Sequence, residues 1–346
     1  MKSPAEHPTD PRHLAGQPSN GQQSNGRRVG RRALLIGGIA LVPVVAFGSY
    51  EAWSLTHGLD QLKRTVDLPK ATNRGSDSAT ATDPDKGKAV DVLLLGSDSR
   101  DQSQSLEGKA GDGRSDTIML LHLDADRKHA YLISFPRDMW VNIPGHGDNK
   151  INAAYSYGGT ELVAETINEL TGITIDHAAV IDFSGFADLT EAVGGVTVDN
   201  TQAFSTHGFN YPKGKITISG KKALWFVRER HALADGDFDR AANQRKVVKA
   251  LVAKIAGPSV LANPAKLSAV VSKLAKYVTV DSGLTDEAIL GLAASMKDAS
   301  RSLVTLQAPV SGTSMIDGQS VDVVDTKKMK RLAAALQKDN LASYAA

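Results

Sequence analysis

Residues 90–100 read VDVLLLGSDSR, from Val90 to Arg100. Val90 to Leu95 is apolar apart from Asp91, the pattern of a strand buried on both faces. Gly96 interrupts the run, and Ser97, Asp98, Ser99 and Arg100 follow as a loop. Downstream, Thr117–Leu123 and Ala130–Phe135 read as two more strands, joined by the turn-like Asp124-Ala125-Asp126-Arg127-Lys128. Gly159–Leu170 has the spacing of an amphipathic helix, Ala178–Phe183 that of a strand, Ser184–Val193 that of a helix and Gly195–Val198 that of a strand. Phe238–Ile255 reads as a long helix capped by Asp237 or the preceding loop. Helices are expected at 264–276, 285–298 and 326–337, with a strand near 302–307. Such alternation predicts an α/β fold, a sheet flanked by helices on both faces.

Upstream, residues 71–88 (ATNRGSDSATATDPDKGK) have the composition of a linker. The folded domain is therefore expected to occupy 89–346, behind a stalk and linker at 51–88. Residues 1–26 are rich in Pro, Gly, Ser, Gln and His and read as disordered, within a basic tail at 1–32. Ala33 to Tyr50 are eighteen uncharged residues. As a helix they span about 27 Å, close to a hydrocarbon core of about 30 Å. Arg27, Arg28, Arg31 and Arg32 precede the run, while Tyr50 and Trp53 stand at its far end. This predicts a transmembrane helix at 33–50 with the N-terminus inside and the bulk of the chain outside. Ala46-Phe47-Gly48 also fits a cleaved signal peptide, and Arg31-Arg32 loosely fits a twin-arginine signal. The length of the run favours the uncleaved anchor.

The 346 residues include no cysteine, which excludes disulfide scaffolds, thiol catalysis and cysteine-based zinc sites. Residues 1–32 carry six basic and two acidic residues, and the remainder of the chain balances at −2. A nucleic-acid binder carries its positive excess on the folded domain, so no nucleic acid is expected as a partner. There is no P-loop and no Gly-x-Ser-x-Gly elbow, and the nine histidines show no zinc spacing.

What stands out is a series of arginines and aspartates near predicted strand ends. Asp98 and Arg100 are two apart and share a face if extended. Arg114 and Asp116 repeat that spacing at the entry to the next strand. Two carboxylates from separate strand ends suit Mg²⁺, which takes oxygen ligands together with substrate phosphate and water. Arg137 follows Pro136, which ends the third strand, and Lys150 precedes the helix near 159. The loop 144–149 contains two glycines and reads as flexible. Arg228 and Arg230, if extended, place two like charges side by side, a pairing suited to a dianionic guest. Arg240 and Gln244 share a face in the first turns of their helix, where the backbone already favours an anion. Each motif alone reads equally as a loop salt bridge, with Glu229, Asp235, Asp237 and Asp239 neutralising the arginines.

Taken in order, DVLLLGSDSR, GRSDTIMLLHLD, LISFPRDMWVNIPG, KINAAYSYGG, IDFSGFADLTEAVGGVTVD and LWFVRERHALADGDFDRAANQRKVV resemble the LytR–CpsA–Psr (LCP) family of bacterial cell-envelope enzymes over about residues 90–340. The resemblance implies a central mixed sheet flanked by helices, an extracytoplasmic catalytic domain and a single membrane anchor. It also implies transfer of a glycopolymer phosphate from a polyprenyl-pyrophosphate carrier to a peptidoglycan acceptor, with the lipid tail in an apolar groove between sheet and helices. The family's metal-linked aspartates fall on Asp98 and Asp116, for Mg²⁺ or Mn²⁺. Its pyrophosphate-binding residues fall on Arg114, Arg137, Lys150, Arg228, Arg230, Arg240 and Gln244, and Arg100 is expected to bind pyrophosphate with them. Asn243 stands where a basic residue is common, and Glu191 where Asp is common.

The implied chemistry is phosphoryl transfer, in which positioning and charge neutralisation dominate. Arg228, Arg230 and Arg240 are expected to neutralise the leaving polyprenyl phosphate. Arg114 and Arg137 are expected to brace the carboxylates and the phosphate nearer the sugar, and a carboxylate such as Asp98 to assist deprotonation. A polyprenyl-pyrophosphate phosphatase and a non-catalytic isoprenoid-phosphate-binding protein use the same residues.

Overall fold

The computed structural model describes residue 59 and residues 62–69, 87–97, 115–261 and 263–345. The expected tail and transmembrane helix, and Asp98, Arg100 and Arg114, lie outside the described residues. Among the described residues no helix is long and apolar enough to cross a membrane.

The main sheet is mixed and seven-stranded. Its spatial order is β1 (Lys63–Val66), β12 (Val278–Asp281), β7 (His177–Asp182), β2 (Val90–Ser97), β3 (Ser115–Leu123), β4 (Ala130–Phe135) and β13 (Leu303–Gln307). Residue parity along the strands shows why the central run is apolar. Leu93, Leu95, Ile118 and Leu120 pack into one core, with helices α1 (Ile151–Thr171) and α7 (Thr326–Gln337). Val90, Val92, Met119 and Leu123 pack into another, against helices α4 (Asp237–Ile255) and α6 (Asp286–Ala299). Both faces of the sheet are therefore covered, as the unbroken apolar pattern requires.

Three departures from the sequence reading have physical causes. The fold takes in residues before Ala89, because β1 pairs in parallel with β12 and buries Val66. The segment 144–149 is not a flexible loop: His146 N–H donates to Ile143 O at 2.9 Å, and β6 (Gly147–Lys150) folds back antiparallel on β5 (Met139–Ile143). Leu224–Val227 does not run into an extended Arg228-Glu229-Arg230. It lies in helix α3 (Gly220–Arg228), whose buried Gly220, Ala223, Phe226 and Val227 recur at helical spacing. The cap of α4 is Gly236, in the preceding loop that the sequence offered beside Asp237, at φ 52° and ψ −112° with no side-chain cap bond.

Helix α1 begins at Ile151, eight residues before the expected start, and is interrupted at Gly158 and Gly159. Gly159 sits at φ 63°, ψ −151°, a region that side chains with a Cβ avoid. Gly159→Ala is expected to cost about 1–3 kcal/mol, read as a fall in the urea midpoint without a change in slope.

A second sheet orders β14 (Val310–Ile316), β15 (Gln319–Val324), β5 and β6. Two short ribbons, β8 (Val196–Asn200) with β11 (Gly214–Ile218) and β9 (Phe204–Thr206) with β10 (Phe209–Tyr211), form a third apolar cluster. Helices α2 (Phe183–Ala192), α3 and α4 join that cluster. Helix α5 (Pro264–Tyr277) adds Val270 to it.

Candidate active site

The antiparallel register of β3 on β4 pairs Ile118 with Phe135. Continued two residues past the ladder, the same register sets Asp116 opposite Arg137. Arg137 Nη1 donates to Asp116 Oδ1 at 2.6 Å. Pro136 turns the chain here, with Met139 N–H on Pro136 O at 3.0 Å, and this aims Arg137 and Asp138 off the sheet edge. Asp138 takes Lys150 Nζ at 2.9 Å.

Asp237 is the hub of the site. It accepts from Arg137 Nε at 3.0 Å and Arg240 Nη2 at 2.8 Å, and lies 3.7 Å from Arg230 Nη1. Among the acids expected to neutralise the arginines, it is the one that meets Arg230 and Arg240. Glu229 instead accepts the backbone N–H groups of Arg230 and Ala232, and Asp239 accepts from Gln202. Arg240 is 8% exposed and its pKa is pushed down by burial, then by the charge of Arg137. Burial pulls Arg137 the same way, but its bond to Asp116 and the charges of Asp237, Asp116 and Asp138 outweigh this and raise it. Two guanidiniums are thus held together, one of them strained in its charged form.

Three spaces adjoin along this edge. The first is an open polar cavity of about 620 Å³ lined by Arg137, Lys150, Tyr157, Arg230, Asp237 and Gln319, among others. The second is a narrow crevice of about 20 Å³ lined by Asp116, Arg137, Asp237, Arg240, Gln244 and Asp322, among others. The third is an apolar groove of about 250 Å³ between the sheet and helices α2 and α4, walled by Leu94, Met119, Ile181, Phe186, Val248 and Leu251, among others. Arg137 and Asp237 line both the first and the second. Thr117, Met119 and Gln244 line both the second and the third. The structure thus brings together Asp116, Arg137, Lys150, Arg230, Arg240 and Gln244. Arg228 is set apart: it ends α3 exposed, its guanidinium 5.4 Å from the centre of the Trp225 ring, and His207 stacks on that ring at 3.4 Å.

Asp322, which the sequence reading missed, enters the crevice from β15. It is 7% exposed, and burial followed by the charges of Asp138 and Asp237 pushes its pKa up to about 6. No local motif marks it, since its neighbours Ser320, Val321 and Val323 read as an ordinary strand. A carboxyl whose folded pKa exceeds its unfolded value costs stability once ionised; the fold is unpenalised near pH 4 and loses stability as pH rises through 6. Asp322→Asn is therefore expected to stabilise the protein by about 2–3 kcal/mol at pH 7.5, with the gain fading toward pH 4 in thermal unfolding. A gain that did not change with pH would show that ionisation is not its source.

Asp116, Asp237 and Asp322 line the crevice with carboxylate oxygens, the donor type that Mg²⁺ and Mn²⁺ take, although Asp116 and Asp237 are here paired with Arg137 and Arg240.

Comparison with known proteins gives a consistent result. The sequence model of the LytR_cpsA_psr family matches residues 57–338. A polyisoprenyl-teichoic acid–peptidoglycan teichoic acid transferase TagU from Oceanobacillus iheyensis is 41% identical over 186 residues, 49% of this chain and 55% of that protein, so the match spans about half of that relative. A probable cell wall biosynthesis protein LcpB from Corynebacterium glutamicum is 34% identical over 303 residues, 85% of this chain and 70% of that protein. Among solved structures, TagT bound to LIIa-WTA superposes with a TM-score of 0.62 at 25% identity, covering 79% of this chain and 98% of that one.

Proposed function

This chain belongs to the LytR–CpsA–Psr family, and from that premise we propose that it transfers a glycopolymer phosphate from a polyprenyl-pyrophosphate carrier to peptidoglycan. The observation that carries this reading is the unbroken series of polar cavity, charged crevice and apolar groove. A lipid-linked pyrophosphate has the same three parts in the same order: glycan, phosphates, hydrocarbon.

In this reading the acceptor hydroxyl oxygen attacks the phosphorus nearer the glycan. A new P–O bond forms, the bond from that phosphorus to the bridging oxygen breaks, and polyprenyl phosphate leaves with the electron pair. Arg240 and Arg137 neutralise charge developing on the leaving phosphate, and Gln244 steers it at the mouth of the groove. Arg230 and Lys150 hold the glycan-side phosphate, and a crevice carboxylate takes the hydroxyl proton. Asp322 suits that task because its pKa lies close to neutral. Asp116, with Asp98, would hold Mg²⁺ or Mn²⁺, which when bound draws charge from the phosphate oxygens. Residues 33–50 anchor the chain in the membrane with the N-terminus inside, a topology suited to a lipid-linked substrate.

The test uses the purified full chain with a polyprenyl-pyrophosphate-linked glycan. Glycan joined covalently to peptidoglycan, with polyprenyl phosphate released only when acceptor is present, is the expected outcome. Equal release without acceptor would make the protein a phosphatase and overturn the reading.

A further inference from the structure

At the opposite end of β3, about 20 Å from Asp116 at roughly 3.3 Å per residue, lies a second cluster that the transfer reading does not use. His122 is fully buried and paired across the ladder with Asp91. Its Nδ1 lies 2.7 Å from Asp91 Oδ1, and Asp91 is itself fixed by its N–H on Asp176 Oδ2 at 2.8 Å. The other ring nitrogen, Nε2, faces Asp339 Oδ1 at 3.0 Å and Asp124 Oδ1 at 3.6 Å. Asp339 is held by its second oxygen, which accepts the N–H of Ala125 at 3.0 Å, and its backbone is left-handed at φ 49°. Asp124 Oδ1 is buried with no hydrogen-bond partner. Its Oδ2 lies 3.4 Å from Nδ1 of His129.

We propose that His122, Asp124 and Asp339 form a binding site for a divalent transition-metal ion, best matched by Zn²⁺. Three observations point the same way. One ring nitrogen of His122 is held on the Asp91 carboxylate, the second-shell arrangement that metal-bound histidines show, and the other, here hydrogen-bonded to Asp339, would give up its proton when an ion takes that place. The ligand spacing fits: a tetrahedral ion with bonds of about 2.0–2.1 Å has ligand-to-ligand edges of about 3.3–3.4 Å, which the 3.0 and 3.6 Å separations bracket. All three ligand atoms lie within 4.8 Å of one another. The charge also demands it. Three carboxylates, those of Asp91, Asp124 and Asp339, surround one imidazole. A dication would satisfy the orphaned Asp124 oxygen and the excess negative charge together. The imidazole nitrogen disfavours Mg²⁺ and Ca²⁺, which take oxygen. His129 or water completes the shell. Such an ion would tie the β3–β4 turn to the segment after α7, stabilising the fold without entering the transfer reaction.

The experiment titrates ZnCl₂ into the chelator-stripped full chain carrying Asp116→Asn, so that the Asp116 carboxylate cannot contribute. Calorimetry and thermal unfolding are the readouts, and neither depends on the transfer reaction. One saturable zinc site and a raised unfolding temperature are expected, with no such rise from MgCl₂. Adding Asp124→Asn or Asp339→Asn is expected to weaken zinc binding at least tenfold. Thermal unfolding of each metal-free variant, measured beside its zinc titration, separates lost binding from lost folding. Unchanged zinc affinity in both variants, or no saturable binding in the parent, would overturn the proposal.

Discussion

Arg240→Ala is expected to slow glycan transfer by about a thousandfold while leaving the fold nearly as stable as before. The two halves of this result have one cause. Arg240 is 8% exposed, and both burial and Arg137 disfavour its charge. Its removal relieves that strain, while Asp237 keeps Arg137 at 3.0 Å and Arg230 at 3.7 Å. Asp237 is therefore not abandoned as a buried unpaired carboxylate, the usual way in which such a substitution destabilises. What the variant loses is a desolvated cation beside the leaving phosphate, so kcat should fall more than KM rises. Steady-state transfer with calorimetric unfolding of the same samples checks both halves. Transfer at the wild-type rate would remove Arg240 from the catalytic machinery.

Val248→Trp should raise KM for long-chain carriers about a hundredfold, equivalent to three or four fewer buried methylenes at about 0.8 kcal/mol each. Val248 lies on α4 in the wall of the groove, against the cluster of Val90, Val92 and Met119. An indole there fills space that the hydrocarbon would occupy but leaves the crevice residues in place. A carrier of one or two isoprene units should be turned over almost normally, because its short tail needs little of the groove. Equal loss for long and short carriers would mean that the groove does not receive the tail.

What was legible in the sequence was what apolar periodicity encodes. The strands from Val90, Thr117 and Ala130 declare themselves because both of their faces are buried. Asp116 and Arg137 meet because their strands are neighbours in register, a pairing that strand ends alone suggest. The second sheet was not legible: β14 is exposed along most of its length, so it carries no apolar stripe. Asp322 was hidden for the same reason, since it reaches Asp237 through folding of that sheet and not through any local motif. Arg228 and Arg230 were placed side by side on a false premise, because Ala223, Phe226 and Val227 had helical spacing. The helix ends at Arg228, and the two side chains part.

The hub at Asp237 has a consequence for turnover. A phosphate that enters the crevice meets arginines that already have a counter-anion, since Arg137 and Arg240 both hold Asp237. Binding is then an exchange of one anion for another, and its net gain is smaller than capture by bare cations would give. The same exchange runs backwards after the reaction, when the carboxylate reclaims its partners and the spent lipid phosphate is displaced. A site built this way trades tightness for release, which suits a protein that must let go of a charged lipid at the end of every cycle.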